Sequence, residues 1–256
     1  MRLTILGSCS GTEPMADRHH TSWTLELGSE LYWFDAGEGC SYTAHLLEID
    51  LLRTRGIFLS HPHMDHVGGL PNLLWTMRKL TSVRRDFSPF EVPIFTPAPS
   101  QIASILGMLG ETEGGFATCF SMPVKQVTDG VLMKAPLLVE ARHNSHLAPA
   151  MDGHWRSFSY RITAEESAII YSGDVESIRE LDGWTDSCDL LLMETGHHSP
   201  MAVCSYLEAK KARIGRLLFV HHGRTILNDP EGVLQQCRSL TSIPVDIADD
   251  GMNFEL

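Results

Sequence analysis

The chain has 256 residues, 43% of them hydrophobic and 20% charged, and its formal net charge is -12 at pH 7. This length supports a substantial core without disulfides, and the acidic balance argues against a broad nucleic-acid surface, because phosphates are bound by clustered Lys and Arg. The six cysteines form no CxxC pair, no apolar run approaches membrane-spanning length, and no signal-peptide pattern opens the chain. We therefore expect a cytoplasmic protein with reduced thiols and no membrane partner.

The first part of the chain alternates apolar runs with small-residue loops and helical patterns. Apolar runs predict strands at residues 2–6, 22–27, 31–35 and 56–60, the second and third forming a hairpin. Helices are predicted at 42–48 and 70–80. Asp35, at the end of the third strand, has two open roles: it caps the following helix, or it supports a metal-binding imidazole through a hydrogen bond.

The most informative segment follows the strand at 56–60 and reads Ser-His-Pro-His-Met-Asp-His. It contains four candidate metal ligands, His61, His63, Asp65 and His66. Imidazole nitrogens and carboxylate oxygens bind zinc at ~2.0–2.2 Å, so ligands this dense converge on one point only from a loop. His61 and His63 are predicted to face one side, and Asp65 and His66 the other, which suits two adjacent metals. A His-rich surface loop without function is the weaker alternative, because the segment lies between a strand and a helix.

The rest of the chain repeats one device, an apolar strand that ends in His or Asp. Strands are predicted at 92–95, 137–139, 157–162, 168–171, 189–193 and 216–220, helices at 100–109, 199–212 and 230–238, and two short closing strands around a turn at 249–251. The residues at the strand ends are His143 and His146, Asp174, His197 and His198, and His221 and His222. Because open sheets build sites from strand ends, we expect these residues to meet the four candidate ligands of the segment 61–66 at one sheet edge.

Strands that alternate with helices, with nearly continuous apolar residues in the central strands, predict an α/β protein with covered sheets. No linker of Pro, Gly or Ser divides the chain, and no repeat recurs at a fixed period. Residues 1–256 are therefore predicted to form a single domain.

These motifs resemble those of the metallo-β-lactamase superfamily of hydrolases, and within it the ribonuclease Z-like branch. Residues 61–66 are similar to the superfamily's HxHxDH motif, and residues 34–39 resemble a segment with the sequence Asp-Cys-Gly-Glu-Gly, in which Ala36 replaces Cys. Ser172-Gly173-Asp174 resembles the motif of the bridging aspartate, and residues 217–221 resemble the strand of the last ligand. The resemblance spans essentially the whole chain and implies a four-layer αββα sandwich with a two-metal site.

The resemblance also implies which residues bind the two divalent metal ions. It assigns His61, His63 and His146 to one ion, Asp65, His66 and His221 to the other, and Asp174 to both. Zinc is favoured, and manganese and iron also fit His and Asp ligands. His143 is the alternative to His146, which is preferred because it lies just past the predicted strand end, as the other ligands do.

The implied function is a binuclear metal-dependent hydrolase, interpreted as a phosphodiesterase with a metal-bridging hydroxide as the nucleophile. Asp65 is expected to orient the attacking water, and His198, which matches a histidine of that branch, to protonate the leaving oxygen. Simple packing or capping is the alternative for His197 and His198. Hydrolysis of a thioester, lactone or β-lactam, and a non-catalytic adaptor role, are the alternative functions.

The expected substrate is a small-molecule or short nucleotide phosphodiester. The tRNA-processing enzymes of the branch carry a long arm where this chain has only residues 147–173. Together with the acidic charge, this short stretch argues against tRNA. Self-association as a homodimer stays open.

Overall fold

The computed structural model describes residues 1–13, 15–84 and 88–256. The chain forms two compact units, one made of Met1–Gly7, Glu13–Gln126 and Asp249–Leu256, the other of Ser8–Thr12 and Val127–Ala248. The single domain expected over 1–256 stays a prediction. Among the described helices, none combines the length and apolarity that a membrane span requires. Strands and helices are numbered along the chain below.

The first unit contains a seven-stranded sheet and a small two-stranded sheet. The large sheet consists of β1 (Arg2–Gly7), β2 (Ser22–Leu27), β3 (Glu30–Phe34), β4 (Thr54–Phe58), β6 (Ile94–Thr96), β8 (Val124–Gln126) and β16 (Asn253–Glu255), and the small one of β5 (Phe90–Glu91) and β7 (Phe120–Ser121). The strand order is β16-β1-β2-β3-β4-β6-β8. Pairing is antiparallel from β16 to β3 and parallel from β3 to β8.

The described residues of the first unit include four α-helices: α1 (Cys40–Leu46), α2 (Met64–Val67), α3 (Leu70–Val83) and α4 (Pro99–Gly110). Apolar residues of α1, α3 and α4 share one buried cluster with alternate residues of the strands, such as Trp33 and Ile57. Because successive strand side chains point to opposite faces, the intervening positions belong to the other face. The helices therefore cover one face of this sheet.

A ladder of aromatic rings crosses that other face. Trp23 stacks on Phe34, Phe34 on Phe58, and Phe58 on Phe95, with centroid distances of 4.2, 5.1 and 4.6 Å. The rings come from β2, β3, β4 and β6, so each pair joins neighbouring strands. Cross-strand aromatic pairs specify register, and the ladder thus fixes the position of β4, the strand that leads to His61.

The second unit contains the other seven-stranded sheet, of order β15-β14-β13-β12-β11-β10-β9. Its strands are β9 (Gly130–Met133), β10 (Leu138–His143), β11 (Phe158–Ala164), β12 (Ser167–Tyr171), β13 (Ser187–Thr195), β14 (Arg213–His222) and β15 (Val245–Ile247). Helices α5 (Pro200–Lys210), α6 (Arg224–Asn228) and α7 (Pro230–Leu240) pack against it. Strand β11 is antiparallel to both of its neighbours, β10 and β12, and the strands from β12 to β15 are parallel to one another. Strands β10, β12, β13 and β14 therefore all end at the same edge of the sheet.

The α/β class is confirmed, and two details of the expected topology are wrong. The closing strands β15 and β16 pair with β14 and β1 rather than with each other. The candidate ligands do not come from one sheet edge, because β4 belongs to the first sheet and β10, β12 and β14 to the second. Hydrophobic periodicity identifies a strand but not its partners, which is why both errors concern pairing.

Candidate metal centre

The HxHxDH segment of the first unit presents its ligand atoms in two pairs. His61 Nε2 lies 3.0 Å from His63 Nδ1, and His66 Nε2 lies 3.6 Å from Asp65 Oδ2. Helix α2 begins directly after His63, so Asp65 and His66 lie in its first turn, whereas the first pair lies in the preceding loop. These distances group the four residues into two pairs, and the prediction that the pairs face opposite sides stays a prediction.

The buried carboxylate of Asp35 organises both pairs. Asp35 accepts hydrogen bonds from Ser60 N (2.6 Å), Ser60 Oγ (2.7 Å) and His66 Nδ1 (2.7 Å), and Ser60 Oγ lies 3.0 Å from His61 Nδ1. A carboxylate only accepts, so the single Ser60 proton points to Asp35, and His61 Nδ1–H donates to Ser60. Both imidazoles therefore keep a proton on Nδ1 and a lone pair on Nε2, as metal ligands need.

Of the two roles left open for Asp35, the hydrogen bond to an imidazole, that of His66, is observed, and the role of His66 as a metal ligand stays a prediction. The capping role is wrong, because the residue before α1 is Gly39 and no side chain caps this helix. Asp35 has a left-handed backbone with a φ of +57°. Aspartate adopts this conformation more readily than most residues do.

In the second unit, three histidines surround the carboxylate of Asp174, which follows β12 and is 2% exposed. Its oxygens lie 3.7 Å from His146 Nε2, 3.4 Å from His221 Nδ1 and 3.8 Å from His197 Nδ1. Asp174, His197 and His221 offer ligand atoms that all lie within 4.8 Å of one another. His197, for which the sequence assigned no role beyond packing or capping, thus joins this group.

A second buried carboxylate, Glu194 near the end of β13, holds these histidines. It accepts a hydrogen bond from the His197 backbone N (2.9 Å), and it lies 3.3 Å from His197 Nδ1 and 3.7 Å from His221 Nδ1. Burial would raise the pKa of Glu194, but the His197 and His221 rings lower it to about 2. The same contact with Glu194 raises the pKa of His197. Sequence reasoning missed Glu194, although one acidic residue in the apolar run 190–195 is a usable signal.

The two candidates for the third histidine have different environments. His146 lies beside Asp174. His143 instead lies against Asp129, to which it donates from its backbone N (2.6 Å) and Nδ1 (2.7 Å), and its ring stacks on Trp155 at 4.2 Å. His143 therefore has its own partners at the end of β10.

In the histidine pairs 197–198 and 221–222, the two neighbouring side chains have different contacts. His198 Nε2 lies 3.0 Å from the Val175 carbonyl and 3.3 Å from Glu194, and His222 Nε2 lies 2.8 Å from the Ala248 carbonyl. Because a carbonyl only accepts, each of these ring nitrogens donates to the backbone. In each pair, the first histidine lies near Asp174 and the second contacts a backbone carbonyl.

The backbone around His221 leaves little freedom for substitution. A Cβ atom at Gly196 would lie 2.7 Å from His221 Nδ1, closer than real contacts allow. His221 itself has a left-handed φ of +50°, which costs energy and is often found at functional sites. Gly196 is therefore needed for the observed position of this imidazole.

The donor groups within each unit fit a divalent metal ion. Two ligands of one tetrahedral zinc ion, each bound at ~2.1 Å, lie ~3.4 Å apart. The His61–His63 and Asp65–His66 distances are 3.0 and 3.6 Å, and the distances around Asp174 are 3.4 to 3.8 Å. Imidazole and carboxylate donors suit zinc, manganese and iron. Both units are thus positioned for metal binding.

Solved structures share this fold. A metallo-beta-lactamase fold protein from Bacillus subtilis superimposes with a TM-score of 0.74 at 17% identity, over 99% of this chain and 98% of that one. The short form of human tRNase Z superimposes with a TM-score of 0.73 at 19% identity, over 100% and 99% of the two chains. The expected metallo-β-lactamase fold is confirmed.

The family follows from the sequence comparison. A model of the beta-lactamase superfamily domain matches residues 33–240, and the chain belongs to this superfamily. A ribonuclease Z from Synechococcus sp. (strain CC9311) is 42% identical over 188 residues, which are 71% of this chain and 54% of that protein. The resemblance to the ribonuclease Z-like branch is confirmed. The chain spans about half the length, or less, of the curated relatives it matches.

Proposed function

We propose that the chain is a binuclear metal-dependent hydrolase that cleaves a phosphodiester. The observation that carries this proposal is the spacing of donor atoms, at the distance of two ligands on one ion, both in the segment 61–66 and around Asp174. The similarity to a ribonuclease Z supports a phosphodiester rather than a thioester, lactone or β-lactam as substrate.

We propose the ligand assignment that the superfamily motifs imply. One ion is bound by His61, His63 and His146, the other by Asp65, His66 and His221, and Asp174 binds both. The pairing within the first unit and the group around Asp174 support this assignment. The chemistry of the donors favours zinc, with manganese and iron as the alternatives.

The protein groups have separate tasks in the proposed reaction. A pair of bound divalent cations lowers the pKa of water and offsets negative charge on the substrate. Asp65, in the first turn of α2, orients the attacking water and takes its proton. Asp35 holds the imidazole of His66 by a hydrogen bond in the orientation that its ligand role requires, and the carboxylate of Glu194 lies 3.7 Å from His221 Nδ1.

The proton for the leaving oxygen comes from the pair at 197–198. The resemblance to the ribonuclease Z-like branch assigns this role to His198, which stays the alternative here. His197 has better access, because 46% of its side chain is exposed and its ring lies 4.9 Å from that of His146. His198 is 16% exposed and would first have to release the Val175 carbonyl. We therefore propose His197 as the general acid.

Protein loaded with zinc should contain two ions per chain, and Asp174→Ala should contain fewer, because this substitution removes the carboxylate proposed to bind both. Plasma mass spectrometry of the desalted protein measures the ratio. A chelator should abolish phosphodiester cleavage, and added zinc should restore it. One ion in the wild type, or two tightly bound ions in Asp174→Ala, would contradict the assignment.

His146→Ala should lower zinc occupancy and phosphodiesterase activity sharply, because His146 lies beside Asp174. His143→Ala is the matched control and should change both much less, since its ring is held by Asp129 and Trp155. Zinc content and kcat/KM are measured on both variants. The reverse ranking would give the ligand role to His143.

We also propose a small-molecule or short nucleotide phosphodiester as the substrate. Residues 147–173 hold β11, β12 and their connections, and the net charge is -12. A comparison of the cleavage rates of precursor tRNA and of a dinucleotide tests this preference.

A cytoplasmic location is proposed because the six cysteines form no disulfide. Light scattering in solution tests whether the protein is a homodimer.

A further inference from the structure

The segment that follows Asp174 is organised by the carboxylate of Glu180. This segment leads into a short 3-10 helix, Ile178–Leu181, with Ser177 as its N-cap. Glu180 Oε2 accepts hydrogen bonds from the backbone N of Glu176 (3.0 Å) and of Ser177 (3.2 Å). The bond from Ser177 N and the bond that the Ser177 side chain accepts from the helix backbone form a capping box, which needs only one of the two oxygens of the Glu180 carboxylate.

The second oxygen of Glu180 reaches another part of the second unit. Glu180 Oε1 accepts a hydrogen bond of 2.7 Å from the backbone N of Ser145. Ser145 directly precedes His146, the proposed third histidine ligand. One carboxylate thus joins the segment after Asp174 to the segment before His146, and bonds to a charged acceptor are stronger than neutral ones.

The side chain of Arg142 also connects these two segments, starting from the one that contains Ser145. Its Nη1 donates to the carbonyl oxygens of Glu180 (3.2 Å) and Asp182 (2.9 Å), and its guanidinium lies 4.1 Å from the centroid of the Trp184 ring. The side chain of Arg142 therefore binds the backbone around Glu180, while the side chain of Glu180 binds the backbone near Arg142. We call these two residues the Arg142–Glu180 clasp.

The clasp joins two loops that the sheet does not join directly. His146 follows β10 and Asp174 follows β12, and β11 lies between these strands. His146 Nε2 is nevertheless 3.7 Å from Asp174 Oδ2, close to the ~3.4 Å expected for two ligands of one ion. Within its own loop, His146 N donates to Asn144 Oδ1 (3.2 Å), and the clasp adds the connection to the segment that follows Asp174.

We propose that Glu180 is a positioning residue of the metal centre, whose carboxylate holds His146 at ligand distance from Asp174. The inference rests on the proposed function, since it requires both residues to bind metal. Glu180→Gln keeps one acceptor oxygen and replaces the other with an amide donor, so it should lose one side of the clasp. Arg142→Met removes the reciprocal contacts and keeps the length of the side chain.

Zinc affinity, measured by competition with a chromophoric chelator, tests the clasp without using activity. Glu180→Gln should lower the affinity for one of the two zinc ions by about tenfold. This is the lower end of the effect that residues hydrogen-bonded to metal ligands have on metal affinity. Arg142→Met should act in the same direction. The matched control is Glu176→Gln, an exposed position of the same segment with the same change of charge, which should leave both affinities unchanged.

Thermal unfolding of the metal-free proteins separates positioning from folding. Lower metal-free stability of Glu180→Gln with unchanged zinc affinity would overturn the inference, and so would equal weakening of zinc binding by Glu176→Gln. A wild-type protein that binds no zinc would overturn the proposed function, and the clasp inference with it. Normal zinc binding by the wild type with no effect of Glu180→Gln would overturn the clasp alone.

Discussion

His197→Ala should lower kcat/KM by about 10²–10⁴-fold for phosphodiesters with a poor, high-pKa leaving group, the usual range of general acid catalysis. It should have little effect on an activated nitrophenolate, which departs without a proton. The reason is the position of His197, half exposed beside Asp174 and oriented by Glu194. The measurement is kcat/KM across a series of leaving-group pKa, with zinc content determined for each preparation.

His198→Ala is the matched control, because His198 contacts the same Glu194 carboxylate but also the Val175 carbonyl. It should lower kcat/KM far less, and equally for all leaving groups. If His198→Ala instead shows the steep dependence on the leaving group, the acid is His198. An equal loss across the series would remove His197 from the acid role, and a loss of zinc would make it a ligand.

Asp35→Asn should weaken zinc binding by about 10–100-fold, as removal of a partner that orients a ligand histidine does. Asparagine keeps one acceptor oxygen, whereas Asp35 accepts from Ser60 N, Ser60 Oγ and His66 Nδ1. The tautomers of His61 and His66 are then no longer both fixed. Chelator competition measures the affinity.

The matched control for Asp35 is Asp50→Asn, the same substitution in the same unit. Asp50 caps the 3-10 helix Leu51–Arg53, and Asn is as good a cap as Asp. Zinc affinity of Asp50→Asn should equal that of the wild type. Unchanged affinity in Asp35→Asn, measured on folded protein, would contradict the organising role of Asp35.

The parts of the site that were predicted from sequence are those encoded locally. The segment 61–66 carries its ligands within one loop and one helical turn, so its two pairs follow from spacing. The strand ends at Asp174 and His221 were visible because apolar runs stop there. The preference for His146 over His143 came from the same rule and stays a prediction, with His146 beside Asp174.

The parts that were not predicted depend on contacts distant in sequence. Neighbouring histidines such as His197 and His198 have the same local sequence signal, and only the tertiary contacts with Asp174 and Val175 distinguish them. In the sequence, Glu194 indicates only the end of a strand, and its contacts with the imidazoles of His197 and His221 are visible only in the structure. The partners of the two closing strands were assigned wrongly for the same reason, because periodicity within a segment contains no information about its neighbour.

The most direct test of the central claim is the initial rate of hydrolysis by a single zinc-loaded preparation with a verified metal content. The panel contains phosphodiesters of a nucleotide and of nitrophenol, together with a thioester, a lactone and a β-lactam. The account predicts metal-dependent cleavage of the phosphodiesters at rates above those of every carboxyl derivative. Cleavage of carboxyl derivatives alone, or no turnover of any compound by protein that holds two ions, would contradict it.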